Sequence, residues 1–301
     1  RPCEERRYPS IDPSARVGLA VDVGTTSVQV SLSLPGGESI LLDDFVNPQR
    51  RYGHDVISRM AAAKNPAAAD DLTRRIRKAV VTSVLRSLEV MRFRADRIHR
   101  IVISGNTTML YLFFGLEVSP LGAHPYLAEC LDLNSFRPAD VGMEEFSGAE
   151  IEAMPILSAF VGGDAVGGFS LCHSGNFGES IFFIDLGTNG EIVVVNPRSE
   201  IRAASCAMGP ALEGMNISCG MNAGDGVITH ARLEDGKLAY DMIGGGEPLG
   251  LSGTALIDIA ALLLESGGMT CRGSLAVPGF DLPAPLEIVA GAGGKSVRLW
   301  E

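Results

Sequence analysis

No stretch of this 301-residue sequence approaches the roughly 18 apolar residues that a membrane-spanning helix needs, so a membrane partner is not expected. Its first sixteen residues, RPCEERRYPSIDPSAR, hold three prolines and no apolar core, so 1–16 reads as a linker or a cut end rather than a secretory signal. Positive charge is in short supply. Lys and Arg number 25 against 36 Asp and Glu, a net charge of −11, and a protein that neutralises many phosphates needs the opposite sign. Nucleic acid is therefore excluded as the main partner. The six cysteines, Cys3, Cys130, Cys172, Cys206, Cys219 and Cys271, form no C-x-x-C pair, which removes zinc and iron–sulfur spacings. His54, His124 and His230 stand alone, with no H-x-x-x-H metal spacing. Reduced, mostly buried thiols in a cytoplasmic protein are the expectation.

What is present is apolar and glycine-rich. Hydrophobic residues make up 46% and charged residues 20%, the balance of a packed protein. The 36 glycines cluster in short motifs, which points to backbone contacts with a ligand. Val17–Val23 is a β-branched strand that runs into Asp22-Val-Gly-Thr-Thr-Ser. Val28, Val30, Leu32 and Leu34 then alternate with polar residues, Pro35-Gly36-Gly37 turns the chain, and a third strand starts at Ser39. The same unit recurs about 160 residues later. Ile181–Ile184 leads into Asp185-Leu-Gly-Thr-Asn-Gly-Glu, followed by strands at Ile192–Val195 and Ile201–Ala204. Two copies of one β-meander imply two related lobes.

Between the copies, Leu72, Ile76, Val80, Val84 and Leu88 recur every fourth residue, with Asp70 and Asp71 read as the helix start. Ile101–Ser104 is a strand entering a helix through Gly105-Asn106-Thr107-Thr108, and a second strand-to-helix crossing is expected near Phe160–Leu171. A further helix follows Gly250-Leu-Ser-Gly-Thr. Strands alternating with helices indicate an α/β class. The expected organisation is 17–175 as one lobe and 176–301 as the other.

The two D-x-G-T turns carry the chemistry. A glycine turn lets backbone N–H groups converge on a phosphate, and neighbouring hydroxyls add donors. An aspartate repels phosphate directly but reaches it through Mg²⁺ and its waters. A plain β-turn is the bland reading of one copy, and two copies in matching strands argue against it. Asp164, at the start of a helix, reads as an N-cap, as a carboxylate that orients the attacking water or a metal-bound water, or as both at once. Gly250, Ser252, Gly253 and Thr254 offer either N–H groups to a nucleotide or a simple helix cap. Cys206 and Cys219 have no basic neighbours and read as structural.

The D-x-G-T pair resembles the superfamily of actin, sugar kinases and heat-shock ATPases. Seven segments resemble one of its families more closely, the ATP-dependent reductive activators of corrinoid proteins. They are GLAVDVGTTSV (18–28), NPQRRYGHDVISRM (47–60), ISGNTTMLYLFFGL (103–116), SAFVGGDAVGG (158–168), FIDLGTNGEIV (183–193), GPALEGMNISCGM (209–221) and GLSGTALID (250–258). That resemblance implies a two-lobed actin-like ATPase fold holding Mg-ATP. Asp22, Gly24, Thr25 and Thr26 would form the first phosphate loop. Gly187, Thr188, Asn189 and Gly190 would form the second, with Asp22 and Asp185 on Mg²⁺ and Asp164 and Asp185 catalytic. The implied reaction returns a Co(II) corrinoid protein to Co(I), with a reduced iron–sulfur protein as the electron donor; a homodimer stays open. The family's N-terminal [2Fe–2S] module has no cysteine set here. Its distal adenosine loop has no match at Ala290–Gly294, so the second lobe is expected to be incomplete. In 250–258 the family's usual Cys, Ser and Gly are replaced by Ser252, Thr254 and Ala255. Two other readings compete: a small-molecule kinase with Asp164 as base, and a non-catalytic nucleotide-binding module.

Overall fold

The computed structural model describes residues 8–134, 136–174, 178–187, 189–198, 200–207, 218–221, 223–291 and 294–299. Its contacts divide into two compact units, one of Arg1–Leu186 with Gly190–Cys206, the other of Gly187–Asn189 with Ala207–Glu301. The class is mixed α/β, as expected.

The first unit opens with an antiparallel meander of β1 (Val17–Val23), β2 (Ser27–Ser33) and β3 (Ser39–Val46). Val17, Leu19, Val21 and Val23 point to one face and are buried, while Ala20 and Asp22 on the other face are exposed. Period-two alternation makes that face the core side. After α1 (Val56–Ala63) and α2 (Pro66–Met91) comes β4 (Ile98–Gly105), which pairs in parallel with β1. A short α3 (Thr107–Phe114) leads to β5 (Glu150–Ala153), parallel to β4. The sheet order is β3-β2-β1-β4-β5. The carboxyl ends of β1 and β4 therefore lie side by side, with Val23 opposite Gly105. Ligands of open α/β sheets bind beyond such ends, where backbone groups leave the ladder.

α2 forms because Asn65 accepts from the N–H groups of Ala67 and Ala68, and Pro66 stands where its missing N–H costs nothing. The helix starts four residues before Asp70. Asp71 is no dipole residue; it is buried and accepts from Tyr52 Oη at 2.8 Å and from Arg74 and Arg75. Leu72, Ile76, Val80, Val84 and Leu88 form the buried stripe. Each contributes about 1.5–3 kcal/mol relative to an exposed side chain. The expected strand near Phe160 is absent: the strand of that crossing is β5, and Phe160 lies exposed in a bend before α4 (Gly163–His173). Then β6 (Ile181–Leu186), β7 (Asn189–Val195) and β8 (Ile201–Ala207) make a second sheet in that order, repeating the opening meander. The Phe183 ring packs on Gly168, which ties β6 to α4.

The second unit holds β9 (Val227–Glu234), β10 (Lys237–Met242) and β11 (Gly250–Leu251) as one sheet. α5 (Gly253–Glu265) covers it through Ala255, Ile259, Leu262 and Leu263, and β12 (Glu287–Gly291) pairs with β13 (Gly294–Arg298). No described helix is long and apolar enough to cross a membrane.

Candidate functional site

The turn between β1 and β2 is held from behind. The Asn47 side chain donates to the Gly24 carbonyl at 2.8 Å, Arg59 Nη2 to the Thr25 carbonyl at 2.6 Å, and the Asn47 N–H to the Thr26 carbonyl at 2.8 Å. In a trans peptide the carbonyl of one residue and the N–H of the next point opposite ways. Fixing the Gly24 and Thr25 carbonyls therefore turns the Thr25 and Thr26 N–H groups the other way, the arrangement that cradles an anion. Gly24 has no tolerance for a side chain, since a Cβ there would lie 2.7 Å from the Ser27 carbonyl oxygen. Thr25 itself is buried, and its hydroxyl accepts from Asn106 Nδ2 at 3.0 Å. That hydroxyl is anchored inside the protein; Thr26 is only half-buried.

Asn47, Gln49 and Arg59 have no solvent exposure. Asn47 Oδ1 accepts from the Gln49 N–H at 2.9 Å, and Gln49 Nε2 donates to the Leu72 carbonyl of α2 at 3.2 Å. Asn106 Oδ1 caps α3 by accepting from the Met109 N–H at 3.0 Å. The segment 47–60 stood out in the sequence as a signature, but its role there is this brace, which spacing alone does not reveal.

Four carboxylates gather in the same unit. Asp22 is the second-last residue of β1, and Asp185 holds the same place in β6. Glu191 lies directly across the ladder from Asp185, is buried, and accepts from Ser205 Oγ at 3.0 Å. Asp164 is the second residue of α4. The N-cap reading fails for it, because the cap is Gly162, and the Asp164 carboxylate accepts from the Ala165 N–H at 2.8 Å. Burial, then the charges of Glu191, Asp185 and Asp22, push Asp164 up to about 7. Asp22 is raised by the protein crowding its carboxylate and then by Asp185, although it is open to solvent. Glu191 is raised by burial and then by Asp185. Sequence reading missed Glu191; the period-two register of β7 against Asp185 was the available signal.

This donor set fits Mg²⁺ held through waters. Among the described residues no three His, Cys, Asp or Glu side chains converge to hold an ion alone. Mg²⁺ needs only one or two carboxylates, and mutually repelling acids beside outward N–H groups suit a cation.

The remaining candidates are placed as follows. The Gly187 N–H donates to the Asn189 carbonyl at 2.9 Å in a tight turn, and the Gly190 carbonyl accepts from Cys206 Sγ at 3.5 Å. Thr188, and most of 209–221, lie outside the described residues. Gly250 and Gly253 are buried. Ser252 caps α5, its Oγ accepting from the Ala255 N–H at 3.3 Å and pairing with Thr254 Oγ1 at 2.7 Å. Thr254 in turn donates to the Thr229 carbonyl at 2.7 Å, so both hydroxyls serve the helix start. The expectation of buried thiols is overturned: Cys130, Cys172, Cys206 and Cys271 are exposed and Cys219 is half-buried, with burial pushing its thiol up and away from reactivity.

Comparison with known proteins gives a consistent result. Residues 17–174 match the RACo middle region, and 179–279 match the C-terminal ASKHA domain of RACo. The corrinoid activation enzyme RamQ of Eubacterium limosum is 33% identical over 259 residues, covering 85% of this chain and 43% of that protein. The [Co(II) methylated amine-specific corrinoid protein] reductase of Methanosarcina barkeri is 24% identical over 284 residues, covering 83% and 51%. A solved structure of a reductive activator for a corrinoid, iron–sulfur protein superposes with a TM-score of 0.76 at 28% identity, covering 96% of this chain and 48% of that one. The chain thus spans about half the length of the relatives it matches.

Proposed function

This chain belongs to the RACo family of corrinoid reductive activators, and on that premise we propose that it is the Mg-ATP-dependent portion of an enzyme returning a Co(II) corrinoid protein to Co(I). The cobalt gains one electron from a reduced iron–sulfur donor, and ATP and water become ADP and phosphate, which makes the uphill transfer favourable. The observation that carries the reading is the meeting of Asp22, Asp164, Asp185 and Glu191 near the braced Gly24–Thr26 turn.

In this reading Asp22 and Asp185 would hold Mg²⁺, which would supply positive charge against the phosphates. The N–H groups of Thr25 and Thr26 bind phosphate oxygens. Asp164 orients the attacking water and takes its proton; a carboxylate poised near neutral pH suits that role. Glu191, across the ladder from Asp185, adds to the field that attracts the cation. Gly187, Thr188, Asn189 and Gly190 as a second phosphate loop, and Gly250, Ser252, Gly253 and Thr254 as nucleotide contacts, rest on the family resemblance.

The test supplies this chain with Mg-ATP, a Co(II) corrinoid protein and a reduced iron–sulfur protein, and follows Co(I) by its visible absorption. Asp185→Ala is expected to abolish ATP hydrolysis with the far-ultraviolet spectrum unchanged. Wild-type turnover in that variant would remove Asp185 from the site and the proposal with it.

A further inference from the structure

Arg59 is a charged side chain with no solvent exposure, and all its described partners are neutral. Its Nη2 donates to the Thr25 carbonyl at 2.6 Å and its Nε to the Gly53 carbonyl at 3.1 Å. Nη1 meets Met109 Sδ at 3.1 Å and, more distantly, Gln49 Oε1 at 3.5 Å. Asp55, at the start of the same helix, spends its carboxylate on the N–H and hydroxyl of Ser58, at 2.8 and 2.9 Å. Burial lowers the Arg59 guanidinium to about 10, and Asp55 acts on it only as a more distant charge, so the group stays cationic at neutral pH.

Keeping a cation whose counter-charge is only a distant one inside a protein is costly, and an apolar side chain of the same shape often serves packing as well or better. Neutral donors already hold this turn, since Asn47 grips the Gly24 carbonyl and Asn106 the Thr25 hydroxyl. What a cation adds is positive potential, strong in a low-dielectric interior, directly behind the peptide whose N–H faces away. The carboxylates of Asp22, Asp164, Asp185 and Glu191 act in the opposite sense and repel a polyphosphate.

We infer that Arg59 is a positioning residue for the polyphosphate: its forked donation to the Thr25 and Gly53 carbonyls fixes the phosphate turn, and its buried charge favours anion binding on the far side without touching the ligand. This inference rests on the Mg-ATP reading above. It assigns Arg59 a role in affinity and in discrimination by phosphate charge, and none in the chemical step.

The experiment is calorimetric titration of the whole chain with Mg-ATP and Mg-ADP, in wild type, Arg59→Met and Arg59→Lys, with thermal melts to establish folding. Arg59→Met is expected to weaken Mg-ATP about tenfold or more, with a smaller loss for the less charged Mg-ADP. Arg59→Lys keeps the charge and loses the fork, so it should weaken both nucleotides about threefold or more and keep their ratio. A purely structural role would lower both nucleotides equally in the methionine variant, and that result overturns the inference, as does wild-type affinity in either folded variant. If Arg59→Met does not fold, Arg59→Gln decides, since it keeps a donor and loses the charge: a larger loss for Mg-ATP than for Mg-ADP supports the inference, and equal losses or wild-type affinity overturn it. A wild-type chain that binds no Mg-ATP would overturn the nucleotide reading itself. Wild-type binding with indifferent variants would overturn the Arg59 role alone.

Discussion

Asp164 carries a pH dependence whose sign follows from its surroundings. Its folded-state pKa is raised from 3.8 to about 7, so between those values the native chain binds more protons than the unfolded one. Stability of the metal-free protein therefore falls as pH rises through that window. Asp22 and Glu191 are raised as well and act in the same direction. Asp55 and Asp71 are held below their usual value by hydrogen bonds and cations, and their stabilisation is lost only at lower pH. Thermal melts in chelator from about pH 4 to about pH 8 should show a decline in Tm that Asp164→Asn flattens. Equal slopes in the two proteins would mean that burial and its neighbours do not raise Asp164 as described. The two D-x-G-T turns themselves were legible from the sequence, because each ends an apolar strand and holds a glycine two residues after its aspartate. Asn47 and Arg59 were not, since each acts on a residue brought near only by folding, and Glu191 was signalled only by the register of its hairpin.

At the scale of elements, two joints support the site. The Gly162 backbone presses on the start of α3, where a Cβ would lie 2.5 Å from Asn106 Cα and 2.5 Å from the Thr107 nitrogen. Backbone on both sides leaves no side chain to move aside, so Gly162→Ala must shift α4 and carry Asp164 with it. That variant should lose most Mg-ATP hydrolysis and several degrees of Tm, read by phosphate release and calorimetry; wild-type turnover would show that the joint does not set Asp164. The α2 stripe is a pure packing joint. Ile76→Ala should cost about 2–5 kcal/mol in urea unfolding, because Ile76 is fully buried. The periodicity of this stripe revealed α2, but not its first turn. Pro66 and the Asn65 cap set that start, while Asp70 and Asp71 imitate the acidic start that a helix dipole favours.

For the molecule as a whole, nucleotide binding should register as stability. A ligand that binds only the native state adds about 2.7 kcal/mol at a hundredfold excess over Kd. Mg-ATP is therefore expected to raise the Tm of the wild-type chain, and Asp185→Ala to lose most of that rise. A full rise in the variant would place the nucleotide elsewhere. With a net charge of −11, anion binding at the proposed site would fall to local devices, the oriented N–H groups and the buried Arg59 guanidinium.

The sequence by itself determined the class of fold, the repeated meander and the position of the two D-x-G-T turns, because alternation, β-branching and glycine turns act over a few neighbouring residues. It also placed the chain near the corrinoid activators, since whole motifs survive as written. Only the tertiary structure decided how the turn is braced, which acid lies across from Asp185, and that Asp164 stands inside α4 rather than capping it. Those facts depend on strand register and on contacts between segments tens of residues apart, such as Arg59 with Thr25 and Asn106 with Thr25. Chain separation hides such pairs from any local pattern, and packing alone brings them within hydrogen-bonding distance.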